Sequence, residues 1–185
     1  MVDMKHLYFI RHGQSQANVD GVWGANTYLT SEGMSQAKNA AQHAKEKKLS
    51  FDLIMSSPLI RAHDTAKEIA IVTGYPVKNI VLIEDIIERH FGELEDTKVT
   101  DDINHIHGKD ETYVEKFNEV ESMESLQKRA AKALAMLKAR PEDRILVASH
   151  SSFGRALKRA IDGLPYSVSE SAFVHLPNAE IIKLI

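Results

Sequence analysis

The chain of 185 residues contains no cysteine. That excludes a disulfide framework, a thiolate nucleophile and any cysteine-type zinc site. No apolar run approaches the roughly 18 residues of a membrane span, and the N-terminus, Met-Val-Asp-Met-Lys-His, shows no long apolar leader segment. Charge of one sign is not in excess. The net charge is −3, which gives no support for non-specific binding to nucleic acid or to an anionic membrane surface. Internal repeats and low-complexity tracts are missing, and no linker divides the sequence. What is present is ordinary for a globular protein, with 43% hydrophobic and 26% charged residues. A single cytoplasmic domain spanning 1–185 is the expectation. Nine histidines leave imidazole to carry nucleophilic chemistry or metal binding.

Hydrophobic patterning predicts alternating strands and helices. Short strands are expected at Leu7–Ile10, Phe51–Met55, Ile80–Ile83 and Ile145–Ala148, with a terminal pair at Ala172–Val174 and Ile181–Leu184. One helix starts after an N-cap at Thr30 and carries Met34, Ala37, Ala41 and Ala44 on one face. A second is expected after a Ser57 cap with Pro58 in its first turn, stopping at Gly74. A third follows Ser122 and ends near Arg140, and a fourth runs from about Phe153 to Ile161. Residues 14–30 read as an irregular loop, in which Trp23 either lines a pocket or caps the core. Residues 95–121 read as a polar excursion with one short helix. The alternation predicts an α/β fold with a mainly parallel sheet and helices on both faces.

Polar residues gather where these strands end: Arg11-His12-Gly13, Ser56-Ser57 with Arg61 one turn on, Glu84 to Arg89, and Ser149-His150-Ser151. In a parallel sheet such ends share one edge, where ligands bind. Arginine presents a rigid fork of donors matched to phosphate oxygens. Histidine can accept a phosphoryl group, and Gly13 lets the backbone approach a ligand closely. Each residue alone has an ordinary reading as a cap, a core histidine or a solvated side chain; together they suit a phosphoryl group. The His105-x-His107 pair beside Asp101, Asp102 and Asp110 could hold a divalent ion, but a solvated polar loop is the favoured reading, and no metal is assigned.

Five ordered blocks resemble the histidine phosphatase superfamily, which includes the cofactor-dependent phosphoglycerate mutases. They are Leu7 to Asn18 around Arg11-His12-Gly13, Leu29-Thr30-Ser31-Glu32-Gly33 with Gln36-Ala37, Ser56 to Ala62 with Thr65-Ala66, Ile87 to Leu94, and Ile145 to His150. The resemblance implies a phosphoglycerate mutase-like three-layer α/β/α sandwich with a mainly parallel sheet and an antiparallel edge strand. It implies that His12 is the phosphorylated nucleophile and that Arg11, Arg61, His150 and Asn18 bind phosphoryl oxygens. Glu88 would be the general acid and then the base for water. Neighbouring guanidinium groups would keep His12 neutral. Ser57, Arg89 and Ser151 are further candidates for phosphate or substrate contact. Neither a cofactor nor a metal is required, because arginine and histidine supply the positive charge.

Family mutases carry a longer insertion with paired arginines after the acid-bearing block. Here no arginine lies between Arg89 and Arg129, and Lys98, Lys109 and Lys116 are the lysines of the 95–121 excursion. The expected activity is therefore hydrolysis of a small phosphorylated metabolite by a monomer or homodimer. Mutase-type phosphoryl transfer is the alternative, and a weakly active phospho-ligand-binding protein the second. Family members place glycines around the second histidine, whereas this chain has Ser149, Ser151 and Ser152.

Overall fold

The computed structural model describes residues 6–100, 115–165 and 176–185. Its centre is a five-stranded sheet in the order β3-β2-β4-β1-β5. The strands are β1 (His6–Arg11), β2 (Leu53–Ser56), β3 (Val81–Leu82), β4 (Arg144–Ser149) and β5 (Ile181–Lys183). β1, β2, β3 and β4 pair in parallel, while β5 runs antiparallel to β1. The helices are α1 (Gln16–Asp20), α2 (Ser31–Glu46), α3 (Ile60–Thr73), α4 (Met123–Lys138) and α5 (Ser151–Ile161).

Period-two alternation along the central strands builds two cores. Leu7 and Phe9 of β1 join Ile145 and Val147 of β4 on one face, under Leu126 and Leu137 of α4 and Phe153 and Leu157 of α5. Ile10, Ile54, Leu146 and Ala148 form the other face, against Ala40 and Ala41 of α2 and Ala66, Ile69 and Ala70 of α3. The result is three layers. Full burial of a leucine such as Leu126 or Leu137 contributes roughly 1.5–3 kcal/mol, so packing rather than propensity holds α4 in place.

Several local expectations stand. Thr30 caps α2, its Oγ1 accepting from the Gly33 amide at 3.0 Å. Ser122 caps α4, its Oγ accepting from the Ser125 amide at 3.0 Å. Gly74 ends α3 in the left-handed region at φ 78°. Others need correction. The expected third strand shrinks to Val81–Leu82, an exposed edge. The helix expected from Phe153 starts at Ser151. The stretch read as an irregular loop contains α1, closed by a capping box between Ser15 and Asn18. The strand expected at Ala172–Val174 lies outside the described residues.

Gly13 has a structural reason as well. A Cβ there would come within 2.3 Å of the Gly33 carbonyl oxygen. The glycine lets the β1–α1 loop lie against the first turn of α2.

Candidate active site

Strand register brings the polar ends together. Arg11 is level with Ser149, and Ser56 with Ala148. His12 and His150 therefore leave adjacent strands side by side, and Ser57 leaves the third strand beside them. The two imidazole rings lie 5.1 Å apart, tilted by 59°. Both side chains are buried.

His12 Nδ1 lies 2.7 Å from the Gly13 carbonyl. That acceptor places the ring proton on Nδ1 and leaves a lone pair on Nε2. Arg61 Nε donates to His12 Nε2 at 3.2 Å, and Arg61 also donates to the Ala25 carbonyl at 2.8 Å. Burial, then the Arg61 guanidinium, then Arg11 hold His12 well below its ordinary pKa, against a smaller opposing effect of the Gly13 carbonyl. His150 is pushed down in the same direction by burial, then by Arg61, His12, Arg11 and Arg129. Burial also lowers Arg11 and Arg61 themselves.

These shifts set an acid limit on the fold. An unfolded histidine titrates at about 6.5, so below that value the unfolded chain binds protons at both positions that the folded chain does not. Stability is fully present above about pH 6.5. It falls by about 1.4 kcal/mol per pH unit for each of the two histidines as pH drops below it. Urea midpoints measured from pH 7 to pH 5 are expected to fall, and to fall less steeply in His12→Ala. Parallel profiles for the two proteins would contradict the assignment.

His150 Nε2 is 2.8 Å from Ser57 Oγ, while its Nδ1 and the Nε of Arg11 have no hydrogen-bond partner among the described residues. The expected Ser57 helix cap does not form. α3 starts after Leu59 with no side-chain cap; the Ser57 hydroxyl oxygen accepts from the Leu59 amide at 3.2 Å, ahead of the helix, and also faces His150.

Glu88 sits over the N-terminus of α5. Its carboxylate accepts from the amides of Ser152 at 3.0 Å, Phe153 at 3.2 Å and Arg89 at 2.9 Å. A helix start is a natural seat for a carboxylate, because amide donors and the helix dipole both favour negative charge there.

Between these groups lies a cavity of about 320 Å³. Arg11, His12, Asn18, Arg61, Glu88 and Ser151 line it, as six of the nine candidate positions. Asn18 Oδ1 accepts from the Ser15 amide at 3.0 Å, which leaves its NH2 group as the donor end. His150 and Ser57 stand behind His12 and are not on the cavity wall. Ser57 Oγ faces the His150 ring at 2.8 Å. Arg89 is likewise off the wall. It is buried and donates to the Glu121 carbonyl at 2.7 Å. Ser152, one of the serines that depart from the family pattern after His150, also lines the cavity, and Arg155 lines it unforeseen. The signal for Arg155 is helical spacing, since it lies one turn beyond Ser151 on α5. The histidines and acids between Asp101 and Asp110 lie outside the described residues; among the described ones no cluster could hold a metal.

The loop that carries Glu88 is held by its carbonyls. Arg129 donates to the carbonyls of Asp85 at 3.1 Å, Ile87 at 2.9 Å and Glu88 at 3.1 Å. Ser149 Oγ takes the remaining one, Ile86, at 2.6 Å. Glu121 pairs with Arg129 at 2.9 and 2.6 Å and also accepts from the His90 amide at 3.2 Å. The serine that departs from the family pattern before His150 thus fixes the acid-bearing loop.

Known proteins share this architecture. The Escherichia coli adenosylcobalamin/alpha-ribazole phosphatase is 40% identical over 91 residues, covering 48% of this chain and 42% of that protein. A 2,3-bisphosphoglycerate-dependent phosphoglycerate mutase from Methylobacterium is 31% identical over 169 residues, 85% of this chain and 81% of the relative. Among solved structures, Entamoeba histolytica phosphoserine phosphatase in complex with 3-phosphoglyceric acid superposes with a TM-score of 0.74 at 26% identity, covering 96% of this chain and 89% of that one. The match to the family model runs from residue 7 to residue 185, and the chain belongs to the histidine phosphatase superfamily, branch 1.

Proposed function

We propose that the protein is a metal-independent phosphomonoesterase that hydrolyses a small phosphorylated metabolite through a phosphohistidine on His12. The carrying observation is the neutral His12 imidazole, its Nε2 lone pair facing a guanidinium at 3.2 Å on the wall of a cavity of about 320 Å³. That volume is near the lower end of small-molecule pockets, roughly 300–1,000 Å³, which favours a metabolite over a phosphoprotein. The relatives named as phosphatases support the same reading.

In the first half-reaction His12 Nε2 attacks phosphorus, and the ester P–O bond breaks as the N–P bond forms. Arg61 turns its donors from Nε2 to the phosphoryl oxygens, joined by Arg11 and the Asn18 NH2. Fixed cations stabilise charge spread over those oxygens in the transition state. Glu88 passes a proton carried in on the substrate's phosphate to the leaving oxygen. In the second, water attacks phosphorus, the N–P bond breaks, and Glu88 recovers a proton from the water. Phosphate leaves, and His12 is again neutral.

His150 acts as a donor in this scheme. Ser57 Oγ already accepts from the Leu59 amide at 3.2 Å, so its own hydrogen points to His150 Nε2. The Nδ1–H is left as a donor with no partner among the described residues; it meets a phosphoryl oxygen only when the phosphate seats against His12, deeper than the present cavity wall. Ser57→Ala is expected to lower kcat by about tenfold or more, as loss of an orienting partner does elsewhere, while the His150 tautomer signal in nitrogen NMR shifts. An unchanged kcat and tautomer would remove Ser57 from the site.

In this reading the chain is a single domain over 1–185, a monomer or homodimer, working in the cytoplasm on metabolites found there. Mutase activity is the second reading, favoured by relatives bearing that name. A mutase must hold a second anionic group, yet Arg155 is the only guanidinium beyond Arg11 and Arg61 on the wall among the described residues. Supplying 3-phosphoglycerate with a trace of the bisphosphate discriminates: net phosphate release supports the phosphatase, and efficient formation of the 2-isomer overturns it.

A further inference from the structure

The cavity has an apolar side that phosphoryl transfer does not use. Val22 and Trp23 come from the loop after α1, and Phe91 and Val99 from the segment beyond the Glu88 loop; all four line the cavity. Trp23 and Phe91 pack with ring centres 4.8 Å apart. Behind them Leu94 and Val120 complete a small hydrophobic cluster of its own, separate from the two cores on the sheet.

This wall is built rigidly. The Trp23 amide donates to the Thr97 carbonyl at 2.9 Å, the Asp96 amide to the Trp23 carbonyl at 3.0 Å, and the Val99 amide to the Gly21 carbonyl at 2.7 Å. Glu95 accepts from the Phe91 amide at 2.9 Å. Gly24, in the left-handed region at φ 61°, lies so close to the Glu95 carboxylate that a Cβ would come within 1.7 Å of it. The two segments are therefore locked face to face before any substrate arrives, which lowers the ordering cost of binding.

Resting on the phosphatase reading, we infer that the Trp23–Phe91 wall is the leaving-group subsite and selects phosphomonoesters whose alcohol carries a planar, apolar ring. Trp23 and Phe91 are themselves buried, at 9% and 5% exposure, so a ring laid on this wall covers the half-buried Val22 and Val99 and the exposed margin of the aromatic pair. A small polyhydroxy acid or sugar gains nothing from the apolar side chains of this wall and depends instead on the polar lining, Asn18, Ser151, Ser152 and Arg155.

The test separates binding from turnover. Naphthylmethylphosphonate and methylphosphonate carry the same anionic head and cannot be hydrolysed at the P–C bond. Trp23 is the chain's only tryptophan, so its fluorescence reports occupancy of the wall, and calorimetry reports affinity independently. The naphthyl compound is expected to bind at least about tenfold more tightly and to perturb Trp23 emission. In Trp23→Leu that ratio falls toward one. Val99→Asn, a smaller change on the half-buried rim, is expected to reduce it too and serves if the tryptophan variant does not fold.

Equal affinities in the wild type, or a ratio unmoved in Val99→Asn, would overturn the subsite. Phosphate release from 2-phenylethyl phosphate and glycerol 3-phosphate is measured alongside, since both leave as primary alcohols. Ring preference in binding without any release keeps the subsite and ends the phosphatase reading. Release from both esters at equal kcat/KM, without ring preference, does the reverse.

Discussion

Replacing His12 with alanine is expected to lower phosphate release by at least about ten-thousand-fold, the scale seen when a covalent nucleophile is removed. The fold should survive. His12 is buried and neutral beside two guanidinium groups, and its removal takes the acceptor from Arg61 Nε but leaves Arg61 its bond to the Ala25 carbonyl. The variant should therefore lose only about 1–3 kcal/mol, far too little to account for the loss of activity. Residual activity within tenfold of the wild type would show that another group attacks phosphorus.

The second large effect lies away from the cavity. Arg129 is not a lining residue, yet it reaches three of the four consecutive carbonyls from Asp85 to Glu88 and pairs with Glu121. The pair is mostly shielded, with side-chain exposures of 14% and 8%. Removing one partner from a buried, hydrogen-bonded pair costs roughly 3–5 kcal/mol, so Arg129→Ala should lower the urea midpoint sharply. Under conditions where the variant remains folded, kcat should fall more than KM rises, because Glu88 loses its fixed position while the phosphate-binding arginines keep theirs. Arg129→Lys keeps the charge but cannot reach several carbonyls at once. It should recover part of the stability and little of the kcat. If kcat is unchanged in folded Arg129→Ala, the residue serves stability alone.

The layers and the strand ends were readable from sequence because both follow from short-range regularities. The unbroken apolar runs of β1 and β4 announce strands covered on both faces, and the apolar stripes of α2 and α4 announce which sides of those helices pack on them. Parallel pairing then carries Arg11, His12 and His150 to one edge. The site's five main residues needed family motifs as well as pattern, since Glu88 alone reads as a solvated acid. What was missed depends on contacts that spacing does not encode. Ser57 carries a helix-cap signal, but a nearby imidazole competes for the same hydroxyl. Arg89 follows the acid directly, yet its Nε is held by the carbonyl of Glu121. Arg129 sits on a long amphipathic helix with nothing local to set it apart; its role exists only once α4 lies beside the Glu88 loop. α1 was hidden by its five-residue length, too short for a periodic stripe, although the Ser15–Asn18 capping pair marks its start.

The most direct measurement is rapid quenching of the enzyme into base during turnover of a phosphomonoester, followed by peptide mass analysis. A phosphoryl group stable to base and labile to acid is expected on the peptide containing His12, absent in His12→Ala and, with an aryl ester whose leaving group needs no proton, accumulating when water attack is slowed in Glu88→Gln. A phosphoryl group on a serine or on His150, or turnover with no covalent species at any quench time, would contradict the account.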